Sequence, residues 1–132
     1  MGAVRELRLV LTVDDFEAAL AFYRDALGMN EREAWAAEGD GRIAILDAGA
    51  ATLEIVDEAQ ARAIDQIEVG RRVAGPVRIA LEVDDSAAAG ERLAAAGAEL
   101  LSGPVVTPWG DRNVRARTPD GMQLTLFSAA DE

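Results

Sequence analysis

The sequence contains neither cysteine nor histidine. Without thiols there is no disulfide framework, no thiolate metal site and no sulfur nucleophile. Without imidazole the commonest metal ligand and the commonest general base at neutral pH are also missing. Cationic charge is scarce: thirteen basic residues, every one an arginine, face twenty-four acidic ones, for a net charge of −11. Such a chain repels polyanions, which excludes nucleic acid as an expected partner. Charge of this size commonly serves solubility, and it attracts cationic molecules at long range. Apolar runs are too short for a membrane span, and Met1 to Glu6 lead into a strand without a signal-peptide core. The expectation is a cytoplasmic protein that engages no membrane. Aromatic residues make up only 5% of the chain, so its two tryptophans stand out.

What is present is a repeat. Arg8-Leu9-Val10-Leu11-Thr12-Val13-Asp14-Asp15 returns as Arg78-Ile79-Ala80-Leu81-Glu82-Val83-Asp84-Asp85. Each copy alternates like a strand, runs into an acidic pair, and is followed by an alanine-rich helical stretch that stops at Gly28 or Gly97. The acidic pairs stand where helix N-caps stand, so capping accounts for them better than acid-base work. Ser86 and Ser102 have no histidine to activate them.

The first unit spans about residues 5 to 57. Leu7, Leu9, Leu11 and Val13 mark a strand with one buried face; Phe16, Ala19, Leu20, Tyr23 and Leu27 mark a helix. Strands follow over 30 to 37, 42 to 47 and 52 to 56, with turns at Gly39-Asp40-Gly41 and Ala48-Gly49-Ala50. Residues 58 to 76 read as a connection with one short helix around Ala59 to Gln66, broken at Gly75-Pro76. The second unit, about 77 to 128, predicts a strand over 77 to 83, a helix over 86 to 96, and strands over 99 to 105, 111 to 117 and 123 to 128. The last four residues are expected to fray. The fold class is α+β, one domain over residues 1–132, with two tandem β-α-β-β-β units forming an open, curved mixed sheet around a concave pocket.

The twofold unit, the Ala-Phe-Tyr-Arg-Asp-x-Leu-Gly helix end at Ala21 to Gly28, and the segment from Pro108 to Gly121 resemble the vicinal oxygen chelate superfamily. That superfamily holds glyoxalases, bleomycin-resistance proteins and ring-cleaving dioxygenases. The resemblance implies four positions where metal-dependent members carry ligands. Here they fall on Arg8, Glu54, Arg78 and Thr125, with only Glu54 keeping a carboxylate. A guanidinium has five donors, no lone pair to offer, and a lasting positive charge. Neither a metal nor another cofactor is therefore expected.

What remains is a pocket floor of Arg8, Glu54, Arg78 and Thr125, with Trp35 and Trp109 at the rim and Phe127 on the face of Thr125. Two readings of the floor stay open. Arg8 and Glu54 form a structural pair in place of a lost metal, or the guanidiniums hold an anionic or carbonyl group of a ligand. Flat rings at a rim suit a planar ligand, though each Trp also suits a core or an interface. By resemblance the chain is a metal-independent small-molecule binding protein of the bleomycin-resistance type, a homodimer that sequesters an antibiotic-like or planar ligand without turning it over. Two alternatives stand beside it. One is a lyase or isomerase of the glyoxalase type, with Glu54 as its catalytic proton-transfer group. The other is a non-catalytic module with a vestigial pocket.

Overall fold

The computed structural model describes residues 4–35 and 40–130. The expected strand end at Ala36 and Ala37, the Gly39 turn position and the chain's extreme ends lie outside them. Alternating residues make β1 (Glu6–Val13), and Asp15 then caps a helix by accepting from the Ala18 amide at 2.9 Å. The helix runs as α1 (Phe16–Leu20), widens into a π-helical turn over Ala21–Ala26, and ends at Gly28, whose φ of +82° is left-handed backbone that glycine adopts freely. Strands β2 (Glu31–Trp35), β3 (Ile43–Ala48) and β4 (Ala51–Asp57) follow. A longer helix than the sequence suggests comes next, α2 (Glu58–Glu68), capped by Asp57.

The second unit repeats the plan with β5 (Val77–Glu82) and α3 (Ser86–Ala95), the latter capped by Asp85. The strand expected over 99 to 105 is two short ones, β6 (Glu99–Leu100) and β7 (Val105–Val106). Between them the Leu101 and Ser102 amides turn to the Arg115 carbonyl, and Pro104 has no amide to offer a ladder. Strands β8 (Asp111–Arg117) and β9 (Gln123–Ala129) close the unit.

Among the described residues nine strands form one mixed sheet in the order β2-β3-β4-β1-β5-β9-β8-β6, with β7 also on β8. The two first strands meet at its centre: β1 runs antiparallel to β5, while each runs parallel to the last strand of its own unit, β4 or β9. This open, curved mixed sheet with few helices is the α+β arrangement read from the repeat. Among the described residues no helix is long and apolar enough to cross a membrane.

The convex face is covered in two patches. α1 packs Phe16 and Leu20 on Ala44, Leu46, Leu53 and Ile55, and α3 packs Ala89 near Val83, Val114 and Leu126. A methyl group added at Gly90 would stand 3.1 Å from Val114, so this small residue lets α3 lie close to β8. Between the patches the central strands are covered only in part, Leu11 and Val13 leaning on the α1 patch and Leu81 on the α3 patch. Leu7 and Leu9, expected on a well-buried face, are 45% and 36% exposed, because the two helices sit over the outer strands rather than over β1 and β5.

The concave face is where the connection between the units lies. α2 buries Gln60, Ala61, Ile64, Asp65 and Glu68 there, and Ala61 and Ile64 join Val10, Ile43, Ile45, Val56 and Ala80 in one cluster. Gly41 permits the approach, since a Cβ there would come within 2.7 Å of the Gln60 backbone. The segment that reads as a linker thus fills part of the cup.

Candidate functional site

Strand register assembles the site. Side chains that share a face line up across strands as Glu54–Val10–Arg78 over β4, β1 and β5, and as Arg8–Ala80–Thr125–Arg115 over β1, β5, β9 and β8. The duplicated arginines Arg8 and Arg78 therefore enter the cup from antiparallel strands beside each other. Together with α2 they enclose a cavity of about 50 Å³, lined by Arg8, Trp35, Ile43, Glu54, Ile64, Glu68, Arg78, Ala80, Trp109, Asp111, Asn113, Thr125 and Phe127. All seven residues singled out from the sequence stand on this one cavity. Trp35 and Trp109 meet at its mouth, ring centroids 5.4 Å apart and tilted by 46°. The Trp35 indole donates to Glu33 at 3.1 Å, which fixes that ring.

The floor differs from a simple Arg8–Glu54 pair. Arg8 spends Nε and Nη2 on Glu6 Oε2, at 3.2 and 3.0 Å, and Nε also on Thr52 Oγ1 at 3.1 Å; its guanidinium lies 5.3 Å from the centre of the Phe127 ring. Only Nη1 faces Glu54, at 3.6 Å, long for a hydrogen bond. Arg78 donates Nη1 to Thr125 Oγ1 at 2.9 Å and holds Nη2 3.9 Å from Glu54. Glu54 is thus flanked by two cations and locked by neither. Burial pushes its carboxyl above the usual range, the charges of Arg78 and Arg8 oppose that rise, and Glu68 adds to it. Burial also lowers Arg78 from the ordinary guanidinium value, with Arg115 reinforcing the shift. Asp111, under the mouth, is raised chiefly by desolvation.

Behind the cavity wall stands a network the sequence did not disclose. Arg115 is fully buried and reaches Asp65 Oδ1 and Glu68 Oε1, both at 2.8 Å, and Thr125 Oγ1 at 3.1 Å. Asp65 also accepts from the Val73 and Ala74 amides, and Glu68 accepts from Asn113 Nδ2 at 2.8 Å. These bonds fasten α2 over the cup and consume the Glu68 carboxylate. A signal existed in the sequence: Asn113, Arg115 and Arg117 alternate with Val114 and Ala116, which marks a polar face opposite the α3 face.

The donor set does not fit a divalent cation. Of the four positions that the resemblance implies for metal ligands, two bring positive charge, and Thr125 Oγ1 already accepts from Arg78 and Arg115. Among the described residues no three Asp or Glu side chains converge as a metal site would require.

The raised Glu54 carboxyl has a measurable consequence. A carboxyl that binds its proton more tightly in the folded state loses stability for the fold as pH rises from the unfolded value, near 4.5, through the folded one. Wild type is therefore expected to gain stability relative to Glu54→Gln when pH falls from 7 to 5, because glutamine does not titrate. Urea unfolding at both pH values checks this, and a constant difference would mean that Glu54 is solvated like an ordinary surface carboxylate.

A sheet folded into a cup from two tandem units, each a strand, a helix and further strands, with charged and polar side chains on its concave face, defines a class of small, cup-shaped domains. The family profile of the Glyoxalase/Bleomycin resistance protein/Dioxygenase superfamily matches residues 7–126, and the chain belongs to that superfamily. Among solved structures it is similar to methylmalonyl-CoA epimerase from Mycobacterium tuberculosis, at 23% identity and a TM-score of 0.68 over 96% of this chain and 89% of that one. It is also similar to Streptomyces coelicolor methylmalonyl-CoA epimerase, at 21% identity and TM-score 0.67 over 97% and 99%. A superfamily member from Vibrio splendidus aligns at 16% identity and TM-score 0.64 over 96% and 99%. These likenesses concern the fold. Comparison with curated proteins finds no match.

Proposed function

We propose that the chain is a metal-independent small-molecule binding protein that captures a polar head group on the Arg8, Glu54, Arg78 and Thr125 floor and rests a planar part of the ligand against Trp35 and Trp109. The observation that carries this reading is the floor itself, where Arg8 and Arg78 both line the cavity and Arg78 keeps donors free toward it. The narrowed cup sets the size. A drug-sized ligand fills roughly 300 to 1,000 Å³, so only a small end of an antibiotic-like molecule enters while its flat body stays at the mouth. Phe127 is held under Arg8 and completes the wall.

A second reading is favoured by a specific feature: Glu54 is buried, its carboxyl is raised above the usual range by that burial, and its closest Arg8 nitrogen is 3.6 Å away, which suits a proton-transfer group of a lyase or isomerase. One experiment separates the readings. Both tryptophans of the chain stand at the mouth, so their fluorescence reports on the site directly. Titrating wild type with planar ligands bearing varied head groups is expected to yield saturable quenching, and Trp35→Ala or Trp109→Ala to weaken capture about 2- to 12-fold each through lost stacking. If a captured ligand is consumed, and Glu54→Gln slows consumption by roughly 10² to 10⁴ with binding kept, the protein is an enzyme. If nothing in the panel binds, the pocket is vestigial.

The homodimer expected by resemblance belongs to the same proposal. The exposed leucines of β1, with Val77 beside them on β5, offer an apolar strip that a second copy would cover. Light scattering across a dilution series tests it.

A further inference from the structure

The proposal above leaves the chemistry of the head group open, and the hydrogen-bond ledger of the cavity narrows it. Arg8 commits Nε and Nη2 to Glu6 and Thr52 and keeps Nη1, 3.6 Å from Glu54, while Glu68 is committed to Arg115 and Asn113. Thr125 is committed to Arg78 and Arg115. On the donor side Arg78 keeps Nε and Nη2, which bond nothing among the described residues, and it is buried. On the acceptor side the Glu54 carboxyl meets Arg8 Nη1 at 3.6 Å and Arg78 Nη2 at 3.9 Å, and among the described residues Asp111 hydrogen-bonds only through its backbone. Asn113 adds a third acceptor. Its Nδ2 must face Glu68, an acceptor, which fixes the amide's orientation and leaves Oδ1 buried with nothing donating to it.

We infer that the cavity takes a neutral primary carboxamide, or a urea-like group of the same pattern, whose carbonyl accepts from Arg78 and whose two N–H groups donate to Glu54 and a neighbouring acceptor. The match is one of kind and size. A carboxamide brings one acceptor oxygen and two donors, and the floor offers partners of both kinds: Arg78 Nε and Nη2 with Arg8 Nη1 as donors, and the Glu54 and Asp111 carboxyls as acceptors. Arg78 Nη2 and Glu54 Oε2 lie 3.9 Å apart, so a donor and an acceptor stand next to each other on the floor. A cavity of about 50 Å³, at roughly 10 to 15 Å³ for each water-sized occupant, holds about four atoms of that size. Charged rivals fit worse. A carboxylate would satisfy Arg78 but face Glu54 with lone pairs against lone pairs. An ammonium would satisfy Glu54 but bring a third cation beside Arg8 and Arg78.

This inference rests on the small-molecule binding reading, and its test keeps the two apart. Benzamide, benzoate and benzylamine share a ring that can lie against Trp35 and Trp109 and differ only in the head group. Each is titrated into the 132-residue chain by calorimetry, with NMR of the arginine Nε–H signals in parallel. Benzamide is expected to bind about ten-fold or more tightly than the other two and to shift the Arg78 Nε–H signal. Arg78→Met, close in volume, is expected to abolish that preference while circular dichroism shows it folded. Should that variant fail to fold, the wild-type Arg78 shift alone decides. Benzoate or benzylamine binding as tightly as benzamide, or benzamide binding without moving Arg78, overturns the carboxamide assignment and leaves the binding site standing. Binding by none of the three overturns the carboxamide assignment, and the wider panel then decides whether the binding reading falls with it.

Discussion

Replacing Arg115 by methionine is expected to lower the unfolding free energy by about 3 to 5 kcal/mol, the cost of stranding a buried charge. Arg115 is wholly inside the protein and holds two carboxylates that have almost no exposure themselves, Asp65 at 1% and Glu68 at 2% for their side chains. Removing it hurts the two unequally. Asp65 keeps the Val73 and Ala74 amides and Arg72, whereas Glu68 keeps only Asn113. Glu68→Gln in the same chain should therefore recover part of the loss, since a glutamine needs no cation, and the double-mutant cycle reads that coupling. The surface pair Arg117–Glu99, 39% and 62% exposed, is the control, and Arg117→Met should cost under about 1 kcal/mol. The acid limb gives a second reading. Burial pushes Asp65 up, but the Ala74 amide, Arg115 and the Val73 amide outweigh it and leave the carboxyl below its usual 3.8. Its stabilisation is thus present above that value and lost as pH falls through the folded one. Equal costs for Arg115→Met and Arg117→Met in urea titrations would mean that the network is hydrated and that α2 is not fastened by it.

That network also shows what a sequence conceals. The strands around the repeat were legible because period-two alternation is local, and the helix limits were legible because Asp15, Asp85, Gly28 and Gly97 carry their own stop and start chemistry. Arg8 and Arg78 could be paired because duplication places them at equivalent positions. The long connection defeated the same logic. Residues 60, 61, 64, 65 and 68 do fall on one face of α2, but three of the five are Gln60, Asp65 and Glu68, which helical patterning assigns to solvent. They are inside because the concave face of this sheet is itself polar, with Arg115 and Asn113 waiting on β8. Only the tertiary register of β8 against β9 and β5 brings those partners under the helix. On the floor Glu6 and Glu54 share one guanidinium. Arg8 stands opposite Thr52 and only diagonal to Glu54, and Glu6, two residues back on the same face, competes for its guanidinium.

Ile55→Ala carries the other large expected effect, about 2 to 5 kcal/mol, and its comparison with Leu9→Ala tests how the convex face is built. Both residues point to that face from adjacent parallel strands, Leu9 opposite Leu53 and Leu11 opposite Ile55. Their surroundings differ. Ile55 is 0% exposed and packed among Phe16, Leu20, Ala44 and Leu46, where α1 and the strands are too closely fitted to collapse into a gap; the loss is the transfer energy of the removed carbons plus the cavity left behind. Leu9 is 36% exposed on the partly covered strip between the helices, so its truncation removes surface that water already touches and should cost less than about 1 kcal/mol in dilute protein. Unfolding in urea at low protein concentration measures both as monomer properties. Raising the concentration then separates the strip's two possible states. If a second copy covers it, the wild-type midpoint rises with concentration and the Leu9→Ala midpoint rises less, because association stabilises the folded state by mass action and the variant weakens the contact. If both midpoints stay fixed while Leu9→Ala remains nearly neutral, the strip is open to water and the dimer is lost from the proposal. A Leu9→Ala cost equal to that of Ile55→Ala at every concentration would mean that the central strands are covered within the chain itself.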